Sequence, residues 1–170
     1  MYRKDDIVMY GTQGVCRITG IMERNFDGGK HEYYELRPVY DEKSTLFVPV
    51  ANETLTGKMH RVLSADAIDA LIQAMPEEKT AWIVDEGERK RRYKEIMETG
   101  DRKELVKMIK TLYLYRQKQQ AAGKKIHVCD EHFLKEAERI LYDEFAFVLR
   151  IDREKILDYI IGQVGTQELA

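Results

Sequence analysis

The sequence predicts an α+β fold in which a small β-barrel is followed by a bundle of about five α-helices. Three observations lead there. Up to about Val62 the apolar residues alternate with period two, and beyond it they recur with period 3.6. The first segment is punctuated by Gly and Asp at roughly ten-residue intervals. The 170 residues are 44% hydrophobic, with one Trp, ten Tyr and five Phe, which is enough to bury a core and too much for a disordered chain.

In the first segment, residues 1–62, strands are predicted at Asp6–Tyr10, Gly14–Met22, Glu32–Pro38 and Thr45–Val50, with a short fifth near Met59–Val62. Their Val, Ile, Tyr and Phe content suits half-buried pleated strands. Turns are expected at Gly11-Thr12-Gln13-Gly14 and Asp27-Gly28-Gly29, because Gly and Asp tolerate positive φ. Short strands at this spacing make a barrel of SH3 or Tudor type.

In the second segment, residues 63–170, Ser64 is placed to cap a helix over Ala65–Ala74 that ends near Pro76. A second helix is predicted over about Glu78–Thr99, stopping at Gly100. Asp101 and Glu104 have the spacing of a capping box for a third, on which Leu105, Met108, Ile109, Leu112 and Tyr115 form one apolar stripe, and Gly123 ends it. Asp130 is placed to cap a fourth helix with Leu134, Ala137, Leu141 and Val148 inward. Asp152 is placed to cap the last, through Ile156, Ile160 and Ile161.

Several classes are excluded. Three Pro and eleven Gly do not make a collagen-like or linker-dominated chain. No apolar run approaches the roughly 18 residues of a membrane span, and the opening residues carry no apolar signal core, so no leader is expected. Cys16 and Cys129 do not form a disulfide framework and fit a reducing cytoplasm. The net charge of −2 hides an uneven distribution: residues 1–62 are neutral, 63–87 carry −5, 88–125 carry +8 and 126–170 carry −5.

No phosphate-cradling Gly-rich loop, dinucleotide fingerprint, zinc-protease helix or nucleophile elbow is present, and the adjacent acids Asp5-Asp6 and Asp143-Glu144 read as solvated, so no enzyme and no cofactor are expected. His127, Cys129 and His132 fall within six residues, but a structural zinc site needs four ligands and no second pair follows. The informative feature is the basic block: Arg89-Lys90-Arg91-Arg92-Tyr93-Lys94, then Arg102, Lys103, Lys107 and Lys110, then Arg116, Lys118, Lys124 and Lys125. On neighbouring helices these cations either present one face to phosphates or pair with the acidic flanks. Trp82, the sole Trp, reads either as a core residue or as an apolar wedge beside DNA.

With these residues assembled, the chain resembles the CarD family. The β segment carries Asp6-Ile7-Val8-Met9-Tyr10 with Gly14-Val15, then Glu32-Tyr33-Tyr34-Glu35-Leu36 and Val48-Pro49-Val50. The helical segment carries Arg91-Arg92-Tyr93-Lys94, Thr99-Gly100-Asp101 and Ala137-Glu138-Arg139-Ile140-Leu141, so the resemblance covers roughly residues 3–162. The transcription-repair coupling factor shares only the β module, and the helical half therefore argues for CarD itself.

The resemblance implies a non-catalytic bacterial transcription regulator of the cytoplasm, held at the nucleoid through RNA polymerase. Its Tudor-like module would dock on the polymerase β subunit through Arg24, Asn25, Phe26, Phe47 and Pro49. Its helical domain would meet promoter DNA at the upstream edge of the bubble, through Trp82, Arg89, Lys90, Arg91, Arg92, Lys94, Lys124 and Lys125, and alter open-complex stability. No small-molecule ligand is expected.

Two departures stand out. Phe47 occupies a position where relatives can carry Arg, which exchanges a polar contact for an apolar one. Relatives place a wedge Trp at the position of Arg89, whereas here the Trp is Trp82, seven residues earlier and roughly 10 Å away if both lie on one helix face. Three arrangements stay open: Trp82 wedging from a shifted helix start, Arg89 entering the minor groove, or no wedge. The first is preferred. An adaptor that holds polymerase without engaging DNA, and a metal-dependent nucleic-acid-processing enzyme, are the alternatives.

Overall fold

The computed structural model describes residues 1–165. The chain divides into two compact units, Met1–Val62 and the residues from Leu63 onward. The first is a five-stranded antiparallel sheet: β1 (Ile7–Tyr10), β2 (Val15–Arg24), β3 (His31–Pro38), β4 (Leu46–Pro49) and β5 (Met59–Arg61), with a one-turn helix α1 (Glu53–Thr56) before β5. The order is β4-β3-β2-β1-β5, the five predicted strands in the expected Tudor-like module. Gly14 leads into β2 at φ 79°, and Gly28 turns the β2–β3 hairpin at φ 90°, conformations that cost a β-carbon-bearing residue steric strain. The core of this unit is Val8, Cys16, Ile18, Tyr34, Leu36, Val48 and Met59.

One irregularity decides what the outer face of the sheet carries. Ile18 pairs with Leu36, but Gly20 pairs with Glu35, so Thr19 is an extra residue in β2. Its hydroxyl donates to the Glu35 carboxylate at 2.7 Å. A bulge reverses the in–out alternation of its strand. Before it, the even-numbered Cys16 and Ile18 face the core; after it, Met22 and Arg24 pair with Tyr33 and His31 on the opposite face.

The second unit is helical: α2 (Ala65–Ala74), α3 (Glu86–Thr99), α4 (Arg102–Ala121), α5 (Val128–Leu149) and α6 (Ile156–Val164). Ser64 caps α2 by accepting from the Ala67 amide, as its position predicts. Gly100 ends α3 at φ 69°. Asp101 caps α4 by accepting from the Glu104 amide. The rest of the capping box does not form, because Glu104 turns instead to Arg92 at 3.2 Å and Lys107 at 3.7 Å. Leu105, Met108, Ile109 and Leu112 of α4 are buried against Leu134, Ala137 and Leu141 of α5, with Ile156 and Ile160 of α6 also buried.

Three sequence expectations are corrected. The second helix starts at Glu86 rather than Glu78, because Pro76 sits in a 3-10 turn, Met75–Glu77, and Asp85 caps α3 from outside by accepting from the Glu88 amide at 2.8 Å. Asp130 does not cap α5; His127 occupies the cap position, and Asp130 is buried in the first turn. Asp152 opens a 3-10 turn, Arg153–Lys155, with no side-chain cap, rather than α6 itself.

Cys16 lies wholly inside the sheet core, where burial pushes its thiol up to about 12. Only the thiolate is alkylated, so at pH 8 the thiolate of such a group is about a thousandfold scarcer than for an ordinary thiol near 8.5. Iodoacetamide followed by mass spectrometry is expected to label the half-buried Cys129 under native conditions and Cys16 only after denaturant is added.

Candidate nucleic-acid and protein interfaces

In the helical unit the site is organised by Arg89, which sequence reasoning placed toward DNA and the structure places inside. Its side chain is 3% exposed. Nε donates to Asp130 Oδ1 at 2.9 Å and Nη2 to Oδ2 at 2.8 Å, a bidentate pair, while Nη1 donates to the Ile83 carbonyl at 2.9 Å. The hydrogen bond to Asp130 holds the guanidinium firmly in its charged form. A guanidinium with its donors engaged this way has none aimed at a phosphate, so Arg89 is corrected from a DNA contact to an internal strut.

The placement of Trp82 on a helix is corrected too. The residue lies in the irregular segment between the 3-10 turn and α3. Tyr115 of α4 stacks on the indole with centroids 3.6 Å apart and planes at 11°. The Arg89 guanidinium carbon lies 4.4 Å from the indole centroid. A ring and a guanidinium at those distances cannot share one face, so they cover opposite faces of the indole. Trp82 and Arg89 do meet, but because the segment folds back, not through helical periodicity. In this arrangement neither indole face is offered to a base step.

The rest of the basic block sorts by partner. Arg102 makes a bidentate pair with Glu144 of α5 at 2.9 and 2.8 Å, and Glu144 is completely buried. Arg116 donates to Glu131 at 2.9 Å. Lys110 Nζ donates to the carbonyls of Met75, Pro76 and Glu78 at 2.9 to 3.0 Å, closing the turn after α2. Lys90 and Arg92 hold solvated partners, Glu86 at 3.2 Å and Glu95 and Glu104 at 3.2 Å; such pairs are weak and readily exchanged. Arg91, Lys94, Lys124 and Lys125 are exposed, and among the described residues none has an acidic oxygen within 4 Å. The cations open to phosphate therefore include Arg91 and Lys94, one turn apart on α3, with Lys90 and Arg92 beside them, exposed Lys118 in the last turn of α4, and Lys124 and Lys125 in the turn after it.

In the sheet unit, the reversed alternation after the Thr19 bulge gathers a second surface. Phe26 is 59% exposed, and its ring centroid lies 5.1 Å from both Tyr33 and Phe47. Tyr33 and Phe47 meet edge to face at 6.5 Å. The Arg24 guanidinium carbon stands 5.7 Å from the Phe47 ring. Pro49 pairs across the ladder with Tyr33. Asn25 plays a supporting part, its Oδ1 accepting from the Gly28 amide at 2.9 Å to shape the hairpin. Tyr33, which sequence reasoning passed over, is the base of this cluster. The signal was present: Tyr34 and Leu36 alternate into the core, which sends Tyr33 to the other face.

Among the described residues no group of three His, Cys, Asp or Glu side chains is arranged to hold a metal ion, and no helix is long and apolar enough to cross a membrane.

Comparison with known families brings two matches. The family model described as CarD-like/TRCF RID domain matches residues 2–63, and that described as CarD, C-terminal domain, matches residues 66–161. A comparison with curated proteins finds no match.

Removing one partner of a buried ion pair leaves the other charge uncompensated and costs about 3–5 kcal/mol. Asp130→Ala and Arg89→Ala are each expected to destabilise the protein by that amount in urea unfolding followed by Trp82 fluorescence, and Arg89→Met with Asp130→Leu to restore most of it.

Burial pushes the Tyr93 phenol, beside this pair, up to about 12, with the Asp130 charge adding to the effect. An unfolded Tyr titrates near 10, so the neutral phenol's contribution is intact below about pH 10 and lost as the pH rises from there toward 12. A Tyr93→Phe variant is expected to lose less stability over that window, measured by circular dichroism.

Proposed function

The chain belongs to the CarD family of transcription regulators, which interact with RNA polymerase, and on that premise we propose that its sheet unit docks on the polymerase β subunit while its helical unit holds promoter DNA at the upstream edge of the bubble. The observation that carries the reading is the aromatic cluster in which exposed Phe26 packs on half-buried Phe47 and buried Tyr33, with Arg24 against it. Packed aromatics beside an arginine are the composition of interface hot spots. Phe47 makes this contact chiefly apolar. The family is a non-catalytic one, and the protein's action is accordingly one of binding in the cytoplasm.

The DNA half rests on Lys90, Arg91, Arg92, Lys94, Lys124 and Lys125. Lysine and arginine contacts to phosphate give affinity without sequence choice, which suits a protein delivered to promoters by polymerase. Docking raises the local concentration of the weak DNA surface, so the helices need contribute only about 1–2 kcal/mol to change an equilibrium tenfold. Only preferential binding to melted DNA prolongs an open complex, since equal binding to closed and open states shifts nothing. One observation favours a second reading, an adaptor without a wedge: both faces of the Trp82 indole are covered.

The test is the lifetime of an open complex formed with cognate polymerase. Phe26→Ser with Phe47→Ser is expected to lower polymerase affinity at least tenfold and abolish any effect on lifetime. Arg91→Glu with Lys94→Glu is expected to leave polymerase binding intact and to reduce the salt slope of DNA binding by about 2, at roughly 0.9 per phosphate contact. An unchanged lifetime in Trp82→Ala, with the fold verified, selects the wedge-free reading; a shortened one means that Trp82 leaves its stack on DNA.

A further inference from the structure

The helical unit contains a cavity of about 160 Å³ among α4, α5, α6 and Met75 of the 3-10 turn after α2 that the interfaces above do not use. Its apolar wall includes Val106, Ile109 and Leu141, with Leu157 half exposed at its rim. A cavity of roughly 150 Å³ accepts a benzene-sized molecule. It is not wholly apolar, however. The Glu138 carboxylate and the Tyr142 hydroxyl line it, and neither makes a hydrogen bond among the described residues. Both residues are half-buried. Desolvation raises both Glu138 and Tyr142 above their usual range, as expected of groups facing a poorly hydrated space.

The two cations in the wall narrow the chemistry. Lys110 is saturated by three backbone carbonyls, and Arg116 is balanced by its pair with Glu131 and by the charge of Glu138, so the wall offers an anion no net positive charge. The Arg116 charge nonetheless opposes entry of another cation beside Glu138. What remains is an uncharged body with a hydrogen-bond donor.

We propose that this cavity is a binding site for a compact, uncharged aromatic molecule bearing one N–H or O–H donor, of the size of indole, with its ring against Val106, Ile109 and Leu141 and its donor on Glu138 or Tyr142. Such a ligand would bear on the helical unit from a face separate from Arg91 and Lys94, neither of which lines the cavity. No small molecule is expected from the sequence, because the lining comes from three helices and a turn far apart along the chain.

Indole and benzene titrated onto the full chain, followed by methyl NMR, test it. Indole is expected to give saturable shifts at Val106, Ile109, Leu141 and Leu157, with benzene binding at least tenfold more weakly. Glu138→Met keeps length but removes the acceptor and is expected to bring indole down to the affinity of benzene. Leu157→Trp, which fills the site from its exposed rim, is expected to abolish both. The absence of saturable shifts, equal affinity for indole and benzene, or unchanged binding in a folded Leu157→Trp variant overturns the proposal.

Discussion

Much of the helical unit depends on the demand that a buried guanidinium places on its surroundings. Removing a charge from water costs several kcal/mol unless each donor finds an acceptor. Arg89 meets that demand with Asp130, 41 residues away on α5, and with the carbonyl of Ile83 in the segment before its own helix. The bidentate geometry fixes α3 against the first turn of α5. The bond to Ile83 folds the preceding segment back, which brings Trp82 under the guanidinium and onto Tyr115. Loop path and indole environment are thus consequences of one pairing.

The same logic recurs along α5 and accounts for the charge blocks of the sequence. Asp130, Glu131, Asp143 and Glu144 all lie on this helix. They receive Arg89 from α3, Arg116 and Arg102 from α4, and Arg153 from the turn before α6. Glu144 also accepts the amide of Leu63 at 3.0 Å, so the chain entering the helical unit is tied to the same helix. A substantial part of the apparent nucleic-acid signature is therefore interhelical pairing. What it leaves outward is a smaller set of cations on α3, at the end of α4 and in the turn after it, most of them proposed to hold the DNA backbone.

In the sheet unit a single extra residue has comparable reach. Without the bulge at Thr19, Arg24 would face the same side as Cys16 and Ile18, away from Phe47. With it, Arg24 joins Phe26, Tyr33 and Phe47 on one outer face. The placing of Arg24 beside the aromatic cluster is an outcome of that register shift.

The elements themselves were legible in sequence because they are set by local physics. Alternation, the change of period at Val62, Ser64 and Asp101 as caps, and Gly100 as a stop all act within a few residues. The residues of the aromatic cluster proposed to face polymerase were named from the family resemblance, apart from Tyr33. The roles of the charged residues were not legible, since Arg89, Arg91 and Arg102 look alike in a basic run. Which of them is buried depends on whether a carboxylate some 40 residues away is brought within 3 Å. Only the packing of α3 and α4 on α5 decides that, because solvation, unlike helix propensity, belongs to the assembled structure and not to the residue.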